Sequence, residues 1–314
     1  MNILLLGANG QVGHALREPL AALGRVTCAT RSGMLDDGSA CLTVDLADSR
    51  SLAQALEASG ARIIVNAAAY TAVDRAEDEP DLADQINHHA LAKIGAWAER
   101  NGALVVHYST DYVFDGQSDR PWHENDATAP LGVYGRSKLG GEQALRESGA
   151  RHLILRTAWV YAAHGQNFLR TMLRLAGERD ELRVVDDQIG APTPAHWIAQ
   201  TTANVLQRWW AMDENGRGSA CGTYHLTASE RCSWFDFAEA IMEQAQSVGL
   251  LANVPRMMPI ASADYPTRAK RPAFSVLDNS KLALVFGQQL QPWQAGLHEV
   301  IGELAHARLN GDVS

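Results

Sequence analysis

The feature that most constrains the fold is a glycine-rich turn that joins an apolar strand to an amphipathic helix at the start of the chain. The apolar run Ile3–Leu6 is followed by Gly7, Gly10 and Gly13, and the helical pattern Gln11–Leu23 begins within this turn. Gly7 permits a tight turn with positive φ, Gly10 lets the backbone approach a pyrophosphate, and Gly13 lets the helix pack closely on the sheet. The helix N-terminus offers N–H groups and a positive dipole end to phosphates. The turn therefore predicts a dinucleotide-binding unit, although its G-x-x-G-x-x-G spacing differs from that of typical dehydrogenases and a plain glycine-rich turn is the alternative.

Short apolar runs alternate with helical patterns through the first half of the chain. The predicted strands are Ile3–Leu6, Val26–Ala29, Leu42–Val44, Ile63–Asn66, Leu104–Ser109 and Leu153–Arg156. The predicted helices are Gln11–Leu23, Ser49–Ala58, Leu82–Arg100 and Val133–Glu147. We expect Pro19 to kink or shorten the first helix. Continuous apolar strands that alternate with helices are typical of a parallel sheet covered on both faces. The fold class predicted is α/β, with a Rossmann-type doubly wound parallel sheet and a smaller α/β substrate-binding domain.

The pattern loosens after about Tyr161, where the loops carry many prolines. Helices are predicted at Phe168–Ala176, Ala195–Met212, Trp234–Val248 and Trp293–Leu309, and short strands at Leu182–Val185 and Thr223–Leu226. We therefore predict an NAD(P)-binding Rossmann domain over residues 1–160. Residues 161–314 are expected to form mainly the substrate-binding domain, interleaved with the Rossmann sheet.

Composition and charge narrow the partners and the compartment. The 314 residues carry a formal net charge of -9, which argues against nucleic-acid binding because that needs a positive surface. The four cysteines, Cys28, Cys41, Cys221 and Cys232, are scattered and are predicted to be free thiols in a reducing compartment. We find no metal-binding pair, no signal peptide and no apolar run of membrane-spanning length. The sequence therefore predicts a cytoplasmic protein without a membrane partner.

The residues that end the strands decide how a dinucleotide would be held. A carboxylate after the second strand would bind the ribose hydroxyls of NAD, whereas an arginine would accommodate the extra phosphate of NADP. That strand ends in Thr30 and Arg31, so we expect NADPH to be preferred, with NADH possible; the alternative is that Arg31 is a solvated loop charge. Asp45 could bind the adenine amino group or cap a helix. The predicted cofactor-binding residues are Gly7, Gly10, Gln11, Val12, Gly13, Thr30, Arg31, Asp45, Leu46, Ala67, Ala68, Ala69, Tyr70, Tyr134 and Lys138.

A hydroxyl, a phenol and an ammonium follow this unit at spacings that suit hydride-transfer chemistry. Tyr134 and Lys138 lie four residues apart on a predicted helix, and hence on one face. The ammonium is expected to lower the pKa of Tyr134 from about 10 toward neutral pH. The phenol could then donate a proton to a carbonyl oxygen as a hydride reaches its carbon. Thr110, or Ser109 before it, could align the same carbonyl. Thr110, Tyr134 and Lys138 are therefore the catalytic candidates; an ordinary surface Tyr–Lys pair is the alternative.

With these motifs the chain resembles the extended short-chain dehydrogenase/reductase superfamily and, within it, the dTDP-4-dehydrorhamnose reductase family. The stretches that carry the resemblance are 7–13, 65–74, 107–114, 133–138, 155–161 and 187–193. The resemblance implies reduction of the C4 keto group of dTDP-4-dehydro-β-L-rhamnose to dTDP-L-rhamnose, the last step of dTDP-rhamnose synthesis for cell-surface polysaccharide. It places Thr110, Tyr134 and Lys138 at the family's catalytic positions. The predicted substrate-binding residues are Thr110, Asp111, Trp159, Gln188 and Pro192.

Two alternatives and one departure accompany this resemblance. A nucleotide-sugar epimerase or dehydratase would share the glycine-rich turn and the Tyr–Lys pair, and dehydratases usually add an acid at the place of Asp111. A non-catalytic NADP-binding regulatory subunit is the second alternative. Some family members bridge a dimer with Mg²⁺ held by glutamates, whereas the matching places here are Ala15 and His196, which offer no carboxylate oxygen. We therefore expect no metal, and a monomer or a homodimer built in another way.

Overall fold

The computed structural model describes residues 1–309 as strands and helices that alternate through the first half of the chain. The strands are β1 (Asn2–Leu6), β2 (Arg25–Thr30), β3 (Leu42–Thr43), β4 (Ile63–Asn66), β5 (Leu104–Thr110), β6 (Arg151–Thr157), β7 (Val160–Tyr161), β8 (Glu181–Val185), β9 (Ile189–Gly190), β10 (Thr193–Pro194), β11 (Gly222–His225), β12 (Cys232–Ser233) and β13 (Arg256–Ile260). The helices are α1 (Gln11–Ala21), α2 (Ser49–Ser59), α3 (Val73–Ala76), α4 (Pro80–Asp84), α5 (Ala90–Asn101), α6 (Val133–Glu147), α7 (Phe168–Ala176), α8 (Ala195–Ala211), α9 (Glu214–Ser219), α10 (Trp234–Ser247), α11 (Ser280–Phe286) and α12 (Trp293–Leu309).

A seven-stranded parallel sheet forms the centre of the molecule. Its strand order is β11-β6-β5-β4-β1-β2-β3, and every neighbouring pair is parallel. The order reverses direction at β1, which is the place where doubly wound sheets bind ligands beyond the carboxyl ends of their strands. The predicted Rossmann-type fold is therefore confirmed.

Helices cover both faces of this sheet because its strands are apolar on both sides. On one face, Leu16 and Leu20 of α1 pack in one core with Ile198 and Leu206 of α8. The other face is covered by α2, α5 and α6, whose apolar side chains share a second core with Leu4 and Leu6 of β1. The two cores fix the carboxyl edge of the sheet as a rigid platform.

The second half of the chain is divided between this sheet and a smaller unit. β11 is an edge strand of the central sheet, and α8 and α11 pack on the core that contains α1. In contrast, α7, α10 and α12 form a third core around Phe237 and Leu297. Beside it, β8 and β13 form a two-stranded parallel sheet. The predicted domain boundary at residue 160 stays a prediction. Some elements beyond it, such as β11, belong to the central sheet.

The predicted elements recur with small shifts at their ends. Helix α1 continues through Pro19 but stops at Ala21, two residues before the predicted end. The predicted helix over 82–100 runs from α4 to α5 through a π-helical turn at Gln85–His89. Helices α9 and α11 and strand β13 were not predicted. Within residues 1–309, no helix is both long and apolar enough to cross a membrane.

Candidate active site

The glycine-rich turn between β1 and α1 brings two backbone segments into contact. Gly7 has φ +80°, and a Cβ there would lie 2.7 Å from the backbone nitrogen of Ala68. A Cβ at Gly13 would overlap the carbonyl oxygen of Gly7, so glycine is needed for α1 to pack on the turn. At Gly10 the nearest atom to a Cβ would be 3.4 Å away, and no side chain caps the helix there. The turn therefore presents bare backbone and a helix N-terminus to the space above it.

That space is a cleft of about 580 Å³ along the carboxyl ends of β1, β2, β4 and β5. All the predicted cofactor residues line it except Gly13 and Tyr70, namely Gly7, Gly10, Gln11, Val12, Thr30, Arg31, Asp45, Leu46, Ala67, Ala68, Ala69, Tyr134 and Lys138. Asn9, Thr71 and Ile86 also line the cleft and were not predicted, and so do Ser32, a further candidate for the NADP phosphate, and Ser109, the alternative to Thr110. Bare backbone at one end and small alanines along the wall fit an extended dinucleotide.

Gly13 and Tyr70 lie behind the cleft wall. Gly13 serves the packing of α1 described above. The ring of Tyr70 is buried, and its hydroxyl donates to Glu79 Oε2 at 2.7 Å and accepts from Arg75 Nε at 3.0 Å. The hydroxyl of Tyr70 thus holds the segment after β4 in place and does not face the cleft.

The end of the cleft beside β2 and β3 is lined by Arg31 and Asp45. Arg31 is exposed at the rim, and no ion pair of its guanidinium is found within the described part of the chain. Asp45 Oδ1 accepts the backbone N–H of Ala47 at 2.9 Å, so this carboxylate shapes the turn after β3 while lining the cleft. The cap of α2 is Asp48 and not Asp45.

Lys138 is buried between α6 and β5. Its Nζ donates to the carbonyl oxygen of Tyr108 at 2.6 Å and lies 3.1 Å from Nε2 of His107. Burial lowers the pKa of Lys138 to about 7, although Glu142 one turn along α6 acts in the opposite direction. The side chain is therefore no ordinary surface lysine.

Tyr134 lies one turn before Lys138 and lines the same cleft. Burial raises the pKa of Tyr134 to about 12, and the neighbouring hydroxyl of Thr110 opposes this rise. The expectation that Lys138 lowers the pKa of Tyr134 is wrong for the unliganded protein. The physical reason is that Nζ is engaged by Tyr108 and His107 and burial penalises the phenolate.

Thr110 ends β5 beside Tyr134, and Asp111 follows it. Thr110 Oγ1 donates to Asp111 Oδ1 at 3.0 Å and accepts the backbone N–H of Tyr112 at 3.2 Å. Asp111 is buried, and this burial raises the pKa of its carboxyl to about 6. Within the described residues its Oδ2 makes no hydrogen bond, although the Ser275 hydroxyl lies close enough to the carboxylate to oppose this rise in pKa. The structure thus brings together the three catalytic candidates and leaves one buried carboxylate oxygen beside them.

A second cavity of about 970 Å³ lies between the α7–β8 region and the loop that follows β13. Gln188, a predicted substrate-binding residue, lines it together with Phe168 and Trp234. Trp159 does not line it, but its ring stacks on Trp234 with centroids 3.5 Å apart. Pro192 is buried and lies outside both cavities. Trp159 therefore supports the cavity wall from behind.

Four cations around the second cavity were not predicted, namely Arg179, Arg183, Lys270 and Arg271. Arg271 forms an ion pair with Asp74 at 2.6 Å. The basic run at 268–271 was the available signal in a chain of negative net charge. Two carboxylates, Glu181 and Asp264, also line this cavity, so its lining is mixed but positive on balance, which suits an anionic ligand.

Two further groups of polar side chains were not predicted from the sequence. Asp84, His88 and His89 place one possible metal-ligand atom each within 4.8 Å of one another at the π-helical turn, whereas no metal site was predicted. Asn66 and His107 are paired in the register of β4 and β5 directly beneath Lys138. That register follows once the two strands are known to be neighbours, so this pair was within reach of the sequence.

Comparison with known proteins agrees with this geometry. The family model described as RmlD substrate binding domain matches residues 1–306. The dTDP-4-dehydrorhamnose reductase of Escherichia coli (strain K12) is 44% identical over 97% of this chain and 98% of its own. A crystal structure of a dTDP-4-dehydrorhamnose reductase from Clostridium acetobutylicum has a TM-score of 0.85 at 33% identity, over 97% of this chain and 99% of that one. The Bacillus anthracis dTDP-4-dehydrorhamnose reductase, solved in complex with NADP, has a TM-score of 0.83 at 32% identity over 96% and 98%.

Proposed function

The chain belongs to the dTDP-4-dehydrorhamnose reductase family, and we propose that it reduces the C4 keto group of dTDP-4-dehydro-β-L-rhamnose to give dTDP-L-rhamnose. The observation that carries this proposal is that Tyr134 and Lys138 line one dinucleotide-sized cleft, while the buried hydroxyl of Thr110 lies beside Tyr134 just behind the cleft wall. The reaction needs a proton donor, a group that orients the keto oxygen and a site for a reduced nicotinamide. The chain offers a candidate for each.

The roles of the residues follow from their chemistry. NADPH, when bound, would supply the hydride to C4. Tyr134 is proposed to donate its phenolic proton to the C4 oxygen, and its raised pKa means that this proton is present at neutral pH. The hydroxyl of Thr110 is proposed to donate a hydrogen bond to the same oxygen and so to fix the orientation of the carbonyl. The Lys138 amine is proposed to bind the hydroxyls of the nicotinamide ribose beside Tyr134.

The second cavity is proposed to hold the nucleotide-sugar substrate. Its cations would contact the diphosphate, and the stacked Trp159–Trp234 wall would pack against the deoxysugar. Gln188 donates to Ser262 Oγ at 2.8 Å and is proposed to order the loop on the far side. Asp111 and Thr110 would lie at the boundary between substrate and cofactor, and Pro192 would shape the turn behind them.

The finer features of cofactor use are also proposals. Arg31 at the rim is proposed to bind the 2′-phosphate of NADPH, giving preference over NADH. Mg²⁺ is not expected to bridge subunits, because Ala15 packs against the core and His196 pairs with Glu299 at 2.7 Å. We propose a cytoplasmic enzyme that is a monomer or a homodimer.

The environment of Asp111 supports a second candidate function, that of a nucleotide-sugar dehydratase. The buried, unpartnered oxygen of Asp111 beside Thr110 is the acid that a nucleotide-sugar dehydratase would use. The fate of the cofactor separates the two, because a reductase consumes NADPH stoichiometrically whereas a dehydratase or epimerase regenerates it.

The test is the loss of reduced-nicotinamide absorbance when dTDP-4-dehydro-β-L-rhamnose is supplied with NADPH. The expected result is one equivalent of NADPH oxidised for each equivalent of dTDP-L-rhamnose formed. Product without net oxidation would favour the epimerase or dehydratase. Neither product nor oxidation, with NADPH binding intact, would favour the non-catalytic subunit.

A further inference from the structure

The protonation state of Lys138 follows from a chain of four hydrogen-bonding groups beneath the cleft. The backbone N–H of Ala68 donates to Asn66 Oδ1 at 3.2 Å. Because a backbone N–H can only donate, this contact fixes the orientation of the Asn66 amide. Its Nδ2 then faces Nδ1 of His107 at 3.1 Å. The hydrogen positions that follow are assigned from these heavy-atom contacts.

The Asn66 amide decides which nitrogen of His107 carries the hydrogen. An NH₂ group only donates, so Nδ1 of His107 must accept. His107 is completely buried, and this burial holds its pKa well below the usual range. A neutral imidazole that accepts at Nδ1 carries its hydrogen on Nε2.

The Nε2–H group of His107 points at Lys138, whose Nζ lies 3.1 Å away. An ammonium has three donors and no acceptor, so it cannot accept this hydrogen, whereas an uncharged amine has a lone pair that can. The other contact of Nζ, with the Tyr108 carbonyl at 2.6 Å, is compatible with both forms. With an ammonium at Lys138, at least one contact of the chain would bring two donors together. That contact would be between Lys138 and His107, between His107 and Asn66, or between Asn66 and the backbone N–H of Ala68. In a buried site each such contact costs the energy of an unsatisfied polar group.

We propose that Asn66 and His107 are positioning residues that hold Lys138 as the uncharged amine in the unliganded protein. One N–H of the amine is then used by Tyr108 and the other is left for the cleft. The proposal goes against the sequence expectation of an ammonium beside Tyr134.

The charged surroundings permit this state. His107 of β5 contacts the amine, Glu142 lies one turn along α6 from it, and Tyr134 one turn before it lines the same cleft. Glu142 would favour the ammonium, but its oxygens accept from Arg156 at 2.9 and 2.7 Å, and Ser109 also donates to it. The burial of Lys138 acts in the same direction as the hydrogen-bond chain.

The test is a titration of lysine labelled with ¹³C at Cε, followed by NMR without substrate or cofactor. The chain has only four lysines, at 93, 138, 270 and 281, and the Lys138 signal is assigned by exchanging the other three singly to arginine. We expect Lys138 to titrate near pH 7. A midpoint above about 8 would overturn the proposal, because Lys138 would then be mainly an ammonium at neutral pH, as an ordinary lysine is.

The role of the hydrogen-bond chain is tested by Asn66→Ala, which removes the donor to His107 without adding a charge, with Asn101→Ala as the control on α5. We expect the titration midpoint of Lys138 to rise by half a pH unit or more in Asn66→Ala and to stay unchanged in Asn101→Ala. An equal midpoint in the two variants would contradict the role of Asn66. If Asn66→Ala does not fold, ¹⁵N shifts of His107 in the unaltered protein decide, because hydrogen on Nδ1 would reverse the chain. The role of Lys138 in turnover rests on the proposed function, whereas its charge state is measured without substrate or cofactor. The titration can therefore contradict this inference while the proposed function holds, and the reverse is also possible.

Discussion

At the scale of single residues, Tyr134 carries the chemical step of the proposed reaction. Tyr134→Phe removes the proton donor while leaving the ring that contacts Tyr112 edge-on, with centroids 5.5 Å apart. We expect kcat to fall about 10²- to 10⁴-fold, the usual contribution of a positioned acid. NADPH binding, measured by fluorescence titration, should change little.

Tyr112→Phe is the matched control for this prediction, because it removes a phenol from the same aromatic pair. It should keep most of the activity. Comparable losses in both variants would show that the pair acts through packing and that Tyr134 is not the acid.

Arg31 is the residue on which cofactor preference is proposed to depend. Arg31→Asp replaces a cation with an anion at the rim of the cleft, so it should repel the 2′-phosphate. A lost charge-assisted contact is worth about 1.5–3 kcal/mol, and we expect kcat/KM for NADPH to fall about 10- to 100-fold while that for NADH changes less. Arg50→Asp makes the same change on the exposed side of α2, outside the cleft. An NADPH/NADH ratio that is equal in the two variants would refute the role of Arg31.

At the scale of elements, two glycines of the turn before α1 have different roles. Gly13 is needed for the packing of the helix, and Gly10 is proposed to be needed for cofactor binding. Gly13→Ala places a Cβ against the Gly7 carbonyl, so we expect the free energy of unfolding to fall by about 1–3 kcal/mol. Gly10→Ala places its Cβ 3.4 Å from the same oxygen, an ordinary van der Waals contact. It should leave stability within about 0.5 kcal/mol of the parent but weaken NADPH binding about tenfold, because the methyl group stands where the pyrophosphate approaches.

Urea denaturation and NADPH titration of both variants check this prediction, and each variant is the control for the other. If Gly10→Ala bound NADPH normally, the pyrophosphate would not lie against this backbone. Unchanged stability in Gly13→Ala would mean that α1 can move away from the turn.

The elements also show which parts of the fold are readable in the sequence. The strands of the central sheet were predictable because they are short, continuous apolar runs bounded by helical patterns. Strand β13 was not, since Pro259 removes a backbone donor and argues against a strand. The proline is tolerated because β13 has a single partner, β8, in a two-stranded sheet. Helix α11 is only one to two turns long, and Leu284 is exposed, which hides its periodicity.

At the scale of the whole molecule, the site divides into a part set by the sequence and a part set by tertiary structure. Tyr134 and Lys138 lie one turn apart on α6, so their proximity can be predicted from the chain, whereas Thr110 at the end of β5 comes beside Tyr134 only through the fold. The wall of the second cavity is built from Phe168, Trp234 and Lys270, which are far apart in the sequence. No local pattern joins them. Likewise, the pKa of Tyr134 depends on burial, which the four-residue spacing to Lys138 does not reveal.

The interleaving of the two halves predicts that residues 1–160 do not fold alone. Removing the rest of the chain deletes β11, which leaves β6 as an unpaired edge, and deletes α8, which covers Leu16 and Leu20. One face of the sheet would then be exposed, and the burial that offsets chain entropy would be lost on that face. We expect a fragment of residues 1–160 to bind a hydrophobic dye and to unfold without a cooperative transition in urea, whereas the full chain unfolds cooperatively. A cooperative transition of the fragment with about 5 kcal/mol or more would show instead that the first half is an independent domain.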